Sequence, residues 1–135
     1  MNTKVLYQYH DAVLLGISTD DAFGSCLLSF KQSDGKKSEL ILSGCELIRV
    51  VDYTNQNIVS RLVVYQGGIV DKVDAATKLI WASELSDASS YLSQEALNSI
   101  IERISSGSAC LIYLEPSSGA EVVALCNNII EKSAA

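Results

Sequence analysis

The sequence predicts an α+β domain: an antiparallel sheet of about five to seven strands from the N-terminal half, packed against two C-terminal helices. Three observations carry this. Short β-branched and aromatic runs bounded by turn residues fill the chain up to Tyr65. Asp34-Gly35 sits between two such runs as a hairpin turn. Apolar residues recur at helical spacing in the last third, at Leu97, Ile100, Ile101 and Ile104. With 135 residues, the chain fits one domain spanning 1–135.

The strands are justified in order. Val5–Tyr9 and Ala12–Ser18 flank the polar break His10-Asp11, and alternation puts Tyr7 and Tyr9 on one face. Thr19-Asp20-Asp21 is a loop. Gly24–Lys31 places Cys26, Leu28 and Phe30 on one face, and Ser38–Leu42 returns after the Ser33-Asp34-Gly35 turn. Gly44 marks the next boundary. Cys45–Asp52 sets Leu47, Arg49 and Val51 opposite Ile48 and Val50. Asn55-Gln56-Asn57 is a turn, and Ile58–Tyr65 is a further strand ended by Gly67-Gly68.

Residues 69–91 give the weakest pattern. Lys78–Glu84 is read as a strand and Asp87–Ser90 as a polar loop. The first helix has Ser93 as N-cap, Glu95 near its positive end and Gly107 as its stop. Cys110–Leu114 reads as a short buried strand. Ser118-Gly119-Ala120-Glu121 reads as a capping box opening a second helix. The stripe of that helix is Val122, Leu125, Cys126, Ile129 and Ile130, ending near Lys132.

Composition narrows the function classes. The formal charge is −6 and the pI about 4.6. Lys36-Lys37 is the largest basic cluster, which excludes broad binding to phosphate backbones or anionic membranes. The apolar runs Ala12–Leu15 and Ala109–Leu114 fall short of the roughly 20 residues a membrane helix needs. No apolar segment of signal-peptide type follows Met1-Asn2-Thr3-Lys4. The four cysteines, at 26, 45, 110 and 126, form no CxxC, and most sit in apolar contexts. They read as buried and reduced, and the expected location is cytoplasmic.

No catalytic or metal pattern emerges, and the expectation is a protein without enzymatic activity or cofactor. His10 is the only histidine and lies in a turn, where a structural role outweighs that of a base. Asp20, Asp21, Glu84 and Glu115 show no spacing that selects a catalytic pair. Gly67-Gly68 lacks a phosphate-loop pattern. Glu115-Pro116-Ser117-Ser118-Gly119 joins a strand to the expected second helix, and its flanking Glu115 and Glu121 oppose an anion there.

The stretch Gly44-Cys45-Glu46-Leu47-Ile48-Arg49-Val50-Val51-Asp52-Tyr53, followed by Gln56-Asn57-Ile58-Val59, resembles small bacterial immunity proteins. These are the cognate inhibitors of polymorphic toxins, including those of contact-dependent growth inhibition. The resemblance implies a small acidic cytoplasmic protein that binds its toxin and blocks the active site. The implied partner is a toxin domain with a basic surface, of which nucleases are one kind. The acidic charge points away from direct contact with nucleic acid or membrane. Acidic residues would steer such a partner. Asp20, Asp21, Asp34, Asp71, Asp74, Glu84 and Asp87 are the first candidates, set against their reading as ordinary solvated charges. The alternatives are a small-ligand-binding or accessory domain of a cytosolic assembly, and an enzyme with an unfamiliar carboxylate or cysteine site.

Overall fold

The computed structural model describes residues 3–20, 24–68, 71–86 and 89–133. They form β1 (Thr3–Val5), a 3₁₀ turn (Tyr7–Tyr9), β2 (Val13–Asp20), β3 (Ser25–Lys31), β4 (Lys37–Ser43), β5 (Leu47–Val51) and β6 (Ile58–Tyr65). The helices α1 (Lys72–Ala82) and α2 (Gln94–Ser106) follow, then β7 (Cys110–Ser118), β8 (Glu121–Cys126) and β9 (Asn128–Ser133). The fold is α+β and the sheet is antiparallel throughout. Among the described residues it holds nine strands rather than five to seven, and three of them follow the helices.

The sheet closes on itself. Its hydrogen-bonded path runs β5-β8-β7-β6-β2-β3-β4-β9, with β1 also on β6. Only Gly44-Cys45-Glu46 separates β4 from β5, and only Asn127 separates β8 from β9. The β4–β9 and β5–β8 ladders are therefore successive halves of one long bent ribbon, from Ser38↔Ser133 to Val51↔Glu121. That ribbon joins the two ends of the path into a small barrel. Its corner needs Gly44, which has φ +61°, because a Cβ there would collide with the Asn127 amide.

Alternation sorts the side chains between two cores. Leu28, Phe30, Leu40, Leu42, Leu62 and Ile112 point into the barrel with Tyr9 and Val122. The opposite face of β6, β7 and β8 presents Val63, Tyr65, Leu111, Val123 and Leu125 to the helices. The helical hairpin thus covers one side of the barrel from between two adjacent strands.

Three expectations are corrected. The predicted second helix, with its stripe at Val122–Ile130, is β8 and β9. Ser118–Glu121 is a strand-to-strand turn at Gly119 (φ +80°), not a capping box. In β8 both faces are buried, one in the barrel and one under the helices, so strand alternation vanishes into a continuous apolar run. Lys78–Glu84 is not a strand: most of it is the C-terminal half of α1. Tyr7 and Tyr9 do not share a face, because the 3₁₀ turn leaves Tyr7 80% exposed and buries Tyr9 completely.

Candidate partner-binding surface

The helical layer is built from local signals. The Asp71 side chain caps α1, accepting from Asp74 N at 3.0 Å. Ser93 caps α2, accepting from Ala96 N at 3.1 Å, and Gly107 closes it in the left-handed region at φ +88°. Ala75, Leu79 and Ala82 of α1 and Leu97, Ile101 and Ile104 of α2 face the sheet. These are helical spacings, so the other face of α1 points outward. That face still carries Val73, 78% exposed, and Ile80, 42% exposed. Together with Ala76, Leu97, Ile101 and Glu102 they line a groove of about 610 Å³ between the helices.

Charge and aromatic contacts fix α1 to the sheet. Lys78 Nζ bonds Asp74 Oδ1 at 2.5 Å and lies 4.5 Å from the Tyr113 ring centroid. Tyr65 donates to Asp74 Oδ2 at 2.5 Å, and Tyr113 to Glu121 Oε2 at 2.7 Å. Burial and these carboxylate acceptors raise both tyrosine hydroxyls above their ordinary range. Burial acts against ionised Asp74, but the Lys78 ammonium and the Tyr65 hydroxyl hold its pKa below the usual carboxylate value. On α2, Arg103 pairs with Glu46 at 2.6 Å.

The five predicted acidic residues among the described ones are spread over separate parts of the fold. Asp71 and Asp74 share the first turn of α1. Glu84 lies past the other end, roughly 16 Å away at the helical rise. Asp20 ends β2, and Asp34 sits in the β3–β4 turn at the far end of the intervening strand, where it accepts from Lys36 N at 2.9 Å. Asp21 and Asp87 lie outside the described residues. Sequence reasoning missed Val73 and Ile80. The signal was present: once α1 is a helix, these two fall outside its buried stripe.

Other chemical groups are dispersed. His10 is exposed, with Nδ1 2.9 Å from Ser60 O and Nε2 3.5 Å from Asp11. Among the described residues, no group of three histidine, cysteine, aspartate or glutamate side chains is placed to hold a metal ion. No helix among them is long and apolar enough to cross a membrane.

No protein-family model and no curated protein matches the chain. Among solved structures, an uncharacterized protein from Neisseria gonorrhoeae is similar in fold, with a TM-score of 0.53 at 10% identity, covering 97% of each chain. At that identity the likeness speaks to the fold alone.

Proposed function

We propose that this protein is a non-enzymatic, cytoplasmic protein-binding module of the immunity type, which binds a cognate toxin domain and covers its active site. The observation that supports this reading is the α1–α2 groove. Its apolar lining is exposed at Val73 and Ile80, which face a concave surface between two helices that a partner side chain can fill. The occupant is the basic face of the toxin. Charge favours that choice. The chain carries −6. Lys78 and Arg103 are engaged by Asp74 and Glu46, so within the two helices and their caps Asp71, Glu95 and Glu102 outnumber Lys72. Such an arrangement steers a cationic partner, while the apolar groove supplies the buried contact.

The test is co-expression with the open reading frame immediately upstream in the native DNA. Recovery of a one-to-one complex, with loss of that product's toxicity, supports the reading. Recovery of the protein alone, with toxicity intact, removes it.

A second reading rests on a different feature. A recess of about 380 Å³ opens at one end of the barrel, where Leu6, Leu40, Val64 and Ile129 form an apolar wall beside Lys4 and Glu131. A small amphipathic metabolite suits such a mouth. Thermal stabilisation by a metabolite, together with failure to bind the toxin, would favour this second reading.

A further inference from the structure

The four cysteines, scattered through the sequence, meet in the fold as two pairs. Cys110 and Cys126 stand directly opposite each other in the β7–β8 ladder, both inside the barrel and fully buried. Cys26 points inward from β3, opposite Leu42 of β4. Past Leu42 the chain turns at Gly44, and Cys45 N donates to Gly24 O at 2.6 Å, which draws the β4–β5 corner against the start of β3. There the partly buried Cys45 packs against the inner cluster that holds Cys26, and its Sγ donates to Leu47 O at 3.6 Å.

The two pairs differ in access. Cys110 and Cys126 are sealed, whereas Cys45 is only half-buried beside its buried partner Cys26. The neighbouring Cys26 thiol lowers the Cys45 pKa to about 7. Burial works against this shift. The neighbouring Cys45 and burial push the Cys26 thiol upward. An accessible thiolate beside a buried second thiol is the arrangement that thiol–disulfide exchange requires.

We propose that Cys45 and Cys26 form a redox-active dithiol in which Cys45 attacks and Cys26 resolves. The oxidant is a low-molecular-weight disulfide such as oxidised glutathione. The Cys45 thiolate attacks one of its sulfurs, forming a mixed disulfide and expelling one small thiolate. Cys26 then loses its proton as its sulfur attacks Cys45 Sγ, breaking the mixed bond and expelling the second small thiolate. Two protein thiols are oxidised to one Cys26–Cys45 disulfide, one small disulfide is reduced to two thiols, and both protons leave with the products. The new bond fastens the β4–β5 corner to β3, while the sealed pair stays reduced.

The test treats the native full chain with oxidised glutathione, then denatures it, alkylates the remaining thiols and maps the peptides. The expected result is a bridged Cys26–Cys45 peptide pair with Cys110 and Cys126 alkylated. Cys26→Ser should halt the reaction with glutathione retained on Cys45. An unmodified Cys45 would overturn the proposal. So would a wild-type chain that stalls as the mixed disulfide, or oxidation of Cys110 and Cys126 ahead of the other pair. The wild-type map decides the matter even if the variant folds poorly.

Discussion

Arg49 on β5 donates from Nη1 to the Trp81 carbonyl at 2.6 Å, and its guanidinium lies 4.5 Å from the centroid of the same residue's indole. One side chain thus satisfies a carbonyl in the last turn of α1, places positive charge at the helix's negative end, and stacks on an aromatic ring. Arg49→Ala should destabilise the fold by about 1–2 kcal/mol, the discount reflecting partial exposure. Arg49→Lys should recover less than half of that loss, because an ammonium lacks the planar fork. Urea unfolding of the three proteins checks both expectations.

Asn57 is a second clip, wholly inside the protein. Its Oδ1 accepts from Thr54 N at 2.9 Å and Ala120 N at 3.0 Å, and its Nδ2 donates to Thr54 O at 2.7 Å. It ties the loop before β6 to the β7–β8 turn. Asn57→Ala leaves the buried Ala120 N–H without an acceptor and should cost about 2–3 kcal/mol. Gly119→Ala should also destabilise. Its φ of +80° disfavours a side chain, and the new methyl would meet Asn57 Oδ1. Denaturant midpoints measure both.

The buried Tyr9 hydroxyl donates to Glu131 Oε2 at 3.0 Å, and its ring packs edge-on against Phe30 at 4.8 Å. Burial, and secondarily the Glu131 carboxylate, push its pKa from 10.0 to about 12. A raised folded value means the neutral form is favoured in the fold. Its stabilisation is therefore complete below pH 10.0 and is lost as pH rises toward about 12. Tyr9→Phe should reduce the slope of stability against pH in that window by up to about 1.4 kcal/mol per pH unit. Unfolding curves between pH 9.5 and 12 would show no change in slope if Tyr9 titrates normally.

Much of the sheet was legible because it obeys local rules. The Asp34-Gly35 turn, the full span of β6 and the capped helix α2 all follow from residues close in sequence. What failed did so for tertiary reasons. Val122–Cys126 is apolar at every position because barrel and helices bury opposite faces of β8, so its period could not be read. The short α1 carries Ala75, Leu79 and Ala82 inward, but its outward Val73 and Ile80 blur the stripe. Barrel closure depends on the β4–β9 ladder, whose partners lie far apart in the chain. The groove was invisible for the same reason: it exists only once α1 and α2 lie side by side.

The most direct test of the central claim is calorimetric titration of the proposed toxin partner, purified from the upstream reading frame, with wild-type protein and with Val73→Arg. Val73 is 78% exposed, so the substitution should leave thermal stability within about 0.5 kcal/mol. On the proposed reading it removes an apolar contact and sets a cation against a cationic partner. The account predicts affinity weakened by at least about 30-fold, the loss expected at a contact worth ~2 kcal/mol. Unchanged affinity in a folded Val73→Arg protein would contradict the assignment of the α1–α2 groove as the toxin-binding surface.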